Sequence, residues 1–296
     1  FIFSFKSDFK ITSVLTTFLL LPGIFLMSSV ATADAFLNLF ITLAMINIYR
    51  FCENENNEEL IRCSFWIGLG FLTKGLTIIA ICGAVFVIFS IITKKFNTFL
   101  GAILSIKPWL IFLTITLPWL SYVYLKIGLE PLSYMFLGQS FGRYTTAFES
   151  HDGMFYYYFI VLPFVTLTFF PDFVRSLFKL NFKDNLEKFL FTWLAFVFIF
   201  FSFSTTKLPH YLIYGLVPIV FFLQKIFLID QERAPTILEN IYQLLIWLMI
   251  LGIPYALSSF LPQNNFDISP SVFEDIFNKN LYLLIVSLII LFLVLL

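Results

Sequence analysis

Lys207-Leu208-Pro209-His210-Tyr211 sets a cation, a helix breaker, an imidazole and a phenol between two apolar runs. A bilayer edge asks for none of these except the tyrosine, and a charge near lipid is costly unless something uses it. Three further polar clusters interrupt apolar sequence. They are Asp34 in Ala31-Thr32-Ala33-Asp34-Ala35, Lys74 in Gly68-Leu69-Gly70-Phe71-Leu72-Thr73-Lys74-Gly75, and a segment with Arg143 in Phe141-Gly142-Arg143-Tyr144 and His151 in His151-Asp152-Gly153. Lysine binds phosphate as a compact point charge. Arginine offers a planar fork that matches phosphate oxygens. Histidine carries protons or ligates metals near neutrality. A carboxylate orients a metal or a cation. Each residue also has a local explanation: Asp34 as a helix cap, Lys74 and Lys207 as snorkelling lysines, Tyr211 as part of an aromatic belt. Taken together, three cations, a carboxylate and two imidazoles fit an anionic, lipid-borne ligand better than a channel, which needs a polar ring or stripe.

The elements that position these groups follow from composition. Of 296 residues, 60% are apolar and 12% charged, with a mean hydropathy of +0.93. Soluble chains run at about 45–50% and about 25%. This predicts an all-α, polytopic transmembrane bundle. Net charge is zero, so nothing suggests nucleic acid as a partner; the partners are membrane lipids and lipid-linked molecules. The excess of Phe, Ile, Asn and Lys fits AT-rich codons. Cys52, Cys63 and Cys82 form no metal or redox spacing.

A spanning helix takes about 20 apolar residues. Candidate spans run over 11–28, 34–50, 64–92, 108–125, 155–174, 188–205, 210–229, 241–261 and 281–296. Lys74-Gly75 splits the overlong 64–92 stretch into two broken helices, giving about nine to ten spans or half-spans. With that hairpin crossing twice, 13 of the 18 basic residues fall on one side, leaving Lys74, Lys126, Arg143, Lys207 and Lys279 on the other. The basic side is expected to be cytoplasmic. The polar clusters then share the outer face of a cytoplasmic membrane, with 126–154 as an outer-face loop or cap and the acidic 53–59 loop as a solvated inner connection.

The order T-A-D-A, G-L-G-F-L-T-K-G, F-G-R-Y with a following histidine and Y-Y-Y, then T-K-L-P-H-Y, resembles a known superfamily. It is that of the bacterial lipid-A aminoarabinose transferases and protein O-mannosyltransferases, the GT-C-type membrane glycosyltransferases. The resemblance covers about Leu15 to Leu223. G-L-G-F-L-T-K-G and T-K-L-P-H-Y carry it most specifically.

The resemblance implies a GT-C-like bundle over 1–296, incomplete at both ends, that transfers a sugar from a polyprenyl-phosphate donor to a lipid, glycan or protein acceptor with inversion. Asp34 would support catalysis. Lys74, Arg143 and Lys207 would bind the donor phosphate. His151, His210 and Tyr211 would line the cavity. A divalent metal could assist, held by Asp34 and His151. The chain departs from the family at two places: Leu76 follows Gly75 where many members have proline, and no acidic pair precedes Asp34. The main catalytic carboxylate is therefore expected upstream of Phe1, and this segment alone is expected to be inactive. The alternative from another class is a transporter or flippase of lipid-linked sugars.

Overall fold

Inside a bilayer no water meets the backbone N–H and C=O groups, so apolar runs must close their hydrogen bonds as helices. The computed structural model describes residues 9–24, 33–142, 153–230 and 236–246, with the backbone alone at 137 and 139–141. Every regular element among them is helical, as the composition predicts. Contacts divide the chain into two units, 1–233 and 234–296.

In the first unit, α1 (Ile11–Leu20) stops where Pro22 forces its predecessor Leu21 into extended backbone. The expected 11–28 span is shortened accordingly, and its last residues lie outside the described set. The long helices α2 (Ala33–Asn54) and α3 (Asn57–Lys74) form an antiparallel hairpin. Asn56 makes the turn by accepting the Glu58 N–H at 3.0 Å. Glu58 and Glu59 favour that helix start and pair with Arg62 at 3.3 and 3.1 Å.

At the other end of α3, Gly75 takes φ 63° and ψ −135°, and its N–H bonds Phe71 O at 2.8 Å. The chain then returns as α4 (Thr77–Ile92), so the predicted break at Lys74-Gly75 is real. Gly70 lets α4 approach closely, because a Cβ there would collide with Ile78 Cδ1. Backbone with positive φ and strongly negative ψ is hostile to a side chain. Gly75→Ala is therefore expected to cost about 1–3 kcal/mol, read as a fall in unfolding midpoint without loss of helix content.

After the short α5 (Phe96–Leu104), α6 (Ile106–Ile127) packs along α3 and leaves its opposite face, with Trp109, Leu113, Leu117 and Tyr124, exposed. The segment 126–142 then holds α7 (Glu130–Ser133) and a π-helical turn (Tyr134–Gly142), and Phe136 stacks on Phe71 at 5.3 Å.

The expected 155–174 span is instead α8 (Tyr157–Val165), a 3₁₀ turn (Leu167–Phe169) and α9 (Phe170–Phe178), bent by 80°. Pro163 removes a backbone donor and Pro171 starts the new helix. The bend also keeps charged residues together. Arg175 meets Asp172 at 2.8 Å and Asp230 at 3.1 Å, and Lys179 meets Asp230 at 2.7 Å.

Next come α10 (Asn185–Phe203), a 3₁₀ segment (Pro209–Gly215) and α11 (Leu216–Ile229). Trp193 is fully buried and packs α10 against this return. Lys225 meets Glu187 at 2.5 Å, at the end of the bundle where Lys95 also bonds Cys52 O at 2.6 Å. α2, α6, α10 and the Pro209–Ile229 run are each long and apolar enough to cross a bilayer, and the bent pair is a further crossing if it counts as one span. The chain is a multi-pass membrane protein.

In the second unit, the described part is α12 (Ile237–Ile246). Its N-terminus is closed by a reciprocal cap between Thr236 and Glu239, with bonds of 2.8 and 3.2 Å. The expected 241–261 span lies beyond the described residues after Ile246, and 281–296 lies wholly beyond them.

Candidate functional site

Alternating helix directions bring the first turn of α2, the last residue of α3 and the start of the Pro209–Gly215 segment to one end of the bundle. Asp34, 6% exposed, stands in the first turn of α2. Its Oδ1 accepts from the Lys74 ammonium and from the Tyr214 hydroxyl. Lys74 Nζ also lies 3.3 Å from the Tyr214 oxygen, which closes a triangle of polar atoms. On the other side of the carboxylate, His210 Nε2 is 3.5 Å from Asp34 Oδ2. The Lys74 ammonium lies over the Tyr211 ring, 5.3 Å from its centroid, a favourable placement for a cation. Four of the residues singled out from sequence thus converge: Asp34, Lys74, His210 and Tyr211.

A fifth member, Tyr214, was not among them. The signal was available. A 3₁₀ helix has 3.0 residues per turn, so residues three apart eclipse. Tyr211 and Tyr214 accordingly stack at 6.2 Å with 18° between ring planes. Phe201 of α10 lies 4.5 Å from the Tyr211 ring and 5.7 Å from that of Tyr214. Trp193 Nε1 donates to Tyr214 O at 2.8 Å and fixes the end of the segment.

Lys207, expected on the donor phosphate, has another task here. Its ammonium donates to Phe201 O at 3.2 Å and to Ser202 O and Ser204 O at 2.5 Å each. These are the open carbonyls at the C-terminal end of α10, where a cation is favoured. The turn before Pro209 folds the side chain back onto them. Burial pushes the Lys207 pKa down from its ordinary value. Gly153 packs on this side chain, where a Cβ would come within 2.8 Å of Lys207 Cγ. Tyr158 completes the support, since its hydroxyl accepts from Leu208 N at 3.2 Å and donates to Leu208 O at 3.0 Å. Arg143 and His151 lie outside the described residues.

The described residues do not fit a metal. Among them no three of His, Cys, Asp and Glu come together. Asp34 already faces an ammonium and a phenol, and its proposed co-ligand His151 is not described.

Beside the polar cluster a groove of about 560 Å³ runs between α1, α2 and α11. Its lining is mostly apolar and includes Val14, Phe18, Leu39 and Val217. Ala35 and Leu216, which follow Asp34 and Tyr214 closely in the chain, are among its lining. The arrangement pairs a charged, hydrogen-bonding end with an apolar slot, as an amphipathic ligand requires.

Residues 3–122 match the family described as dolichyl-phosphate-mannose-protein mannosyltransferase. The chain is 26% identical over 231 residues to the undecaprenyl phosphate-alpha-4-amino-4-deoxy-L-arabinose arabinosyl transferase of Yersinia pestis (strain Pestoides F), covering 70% of this chain and 39% of that one. It is 26% identical over 149 residues to an uncharacterized protein of Aquifex aeolicus (strain VF5), covering 50% and 33%. In fold it is similar to ArnT from Cupriavidus metallidurans bound to undecaprenyl phosphate. The TM-score is 0.68 at 20% identity, over 85% of this chain and 47% of that one. The apo state of the same protein gives 0.65 at 19% identity, over 85% and 46%. The chain therefore spans less than half the length of these relatives.

Proposed function

We propose that the chain belongs to the GT-C-type membrane glycosyltransferase superfamily of aminoarabinose transferases and protein O-mannosyltransferases, to whose members it is similar, and that the protein containing it transfers a sugar from a polyprenyl-phosphate donor to a lipid acceptor. The observation that carries this is the Asp34–Lys74–Tyr214 cluster, whose chain neighbours Ala35 and Leu216 help line an apolar groove. The isoprenoid chain would lie in the groove and its phosphate at Lys74. Arg143 is proposed as a second phosphate partner from the outer loop. The Yersinia relative, named for an undecaprenyl phosphate-linked aminoarabinose, supports the donor class.

In the reaction, the acceptor oxygen attacks the anomeric carbon as the bond from that carbon to the phosphate oxygen breaks. Polyprenyl phosphate leaves with the bonding electron pair. The acceptor proton goes to a carboxylate acting as general base. Charge grows on the leaving phosphate, so Lys74 stabilises the transition state more than the ground state. Asp34 sets the position of that ammonium. The excess of basic residues at the opposite end of the bundle supports an outward-facing site in the cytoplasmic membrane of a bacterium.

The test is a transfer assay with the full-length protein in proteoliposomes, a labelled polyprenyl-phosphate sugar and a lipid acceptor. Sugar on the acceptor with release of polyprenyl phosphate supports the reading. Movement of labelled donor across the bilayer without transfer supports a flippase instead. Val217→Trp, which plugs the groove, is expected to raise the donor KM about tenfold, equal to ~1.4 kcal/mol, with kcat little changed. An unchanged KM removes the groove from donor binding.

A further inference from the structure

Tyr214 is fully buried and carries a hydroxyl that packing alone does not need. Phenylalanine would fill the same space, and buried phenols persist where they find a partner. The partner here is Asp34, 180 positions away in the chain. The hydroxyl donates to the same carboxylate oxygen that takes the Lys74 ammonium. The phenol is itself held from two sides, by Trp193 on its backbone carbonyl at 2.8 Å and by Tyr211 stacked on its ring.

We infer that Tyr214 is a positioning residue that lets Lys74 pass from Asp34 to the donor phosphate. This rests on the reading that Lys74 meets that phosphate. A lysine fully committed to a carboxylate binds a second anion poorly. When the phosphate arrives, the ammonium must give up part of its bond to Asp34 Oδ1. The phenol, already on that oxygen, supplies the hydrogen bond that the ammonium withdraws. The carboxylate then stays in place instead of following the cation toward the phosphate. Without the phenol, Asp34 depends on Lys74 alone at that oxygen and holds it harder.

The experiment uses the full-length protein and Tyr214→Phe. The donor KM is expected to rise about tenfold with kcat within about threefold of wild type. In an Asp34→Asn background the same change is expected to have no further effect, since the hydroxyl acts through that carboxylate. A second readout needs no activity. Membranes are treated with acetic anhydride, and Lys74 modification is followed by mass spectrometry relative to the lysines of the opposite end. Tyr214→Phe is expected to slow Lys74 modification severalfold, because the pair is tighter. An unchanged KM, effects that multiply between the two substitutions, or unchanged Lys74 labelling each overturns the inference. If the wild-type protein transfers no sugar from polyprenyl phosphate, the proposed function falls, and the labelling alone decides whether Tyr214 tunes the pair. If Tyr214→Phe does not fold, recovery of folding in the double variant with Asp34→Asn supports the link, and failure to recover overturns it.

Discussion

Lys74→Met in the full-length protein is expected to lower sugar transfer at least about 100-fold, or ~2.7 kcal/mol at the transition state, and to destabilise the fold as well. The side chain of Asp34 is only 9% exposed and that of Lys74 25%. Removing the ammonium leaves the carboxylate in a poorly solvated site with the Tyr214 hydroxyl and a histidine 3.5 Å away. Breaking a fully buried pair costs about 3–5 kcal/mol. Because water reaches Lys74, about 2–3 kcal/mol is expected here, measured by chemical unfolding in micelles. The double variant Asp34→Asn with Lys74→Met removes both charges. It should recover most of the stability and none of the transfer, which separates the structural share of the pair from its role at the donor phosphate. Wild-type turnover in Lys74→Met, per folded molecule, would take Lys74 out of the mechanism.

Lys207→Met is expected to show the reverse balance. Three carbonyls at the end of α10 lose their donor in a buried setting. Leaving buried acceptors unpaired costs about 1–3 kcal/mol, and more for bonds to a charged group, so a loss of about 2–3 kcal/mol is expected. The same chain segment leads within seven residues to His210, Tyr211 and Tyr214. A loosened α10 end therefore blurs the donors around Asp34 and lowers transfer per folded molecule, though by less than about tenfold, ~1.4 kcal/mol. Unchanged stability with a donor KM raised more than tenfold would restore Lys207 to the phosphate site.

These two lysines show how far the sequence reaches. Both interrupt apolar runs beside a helix breaker, Gly75 in one case and Pro209 in the other, and both were read as phosphate cations. The signal identified a charge that needs a reason and was silent on which reason applies. Lys74 ends its helix pointing at a carboxylate on a neighbouring helix. Lys207 folds back on its own preceding helix. The bend at α8–α9 was missed because hydropathy averages over Pro163, Pro171 and Asp172, each of which argues for a break.

What the residues determined unaided is the membrane class, the hairpin at Lys74-Gly75 and four members of the polar cluster. Apolar run length and the placement of charges are properties read along the chain, and the bilayer enforces them directly. Tertiary structure alone decided the pairing: Asp34 with a lysine 40 positions on and a tyrosine 180 positions on, and Lys207 with backbone carbonyls. A buried charge takes whichever donor the packed helices bring within reach, and that is fixed by contacts between distant segments that no local pattern encodes.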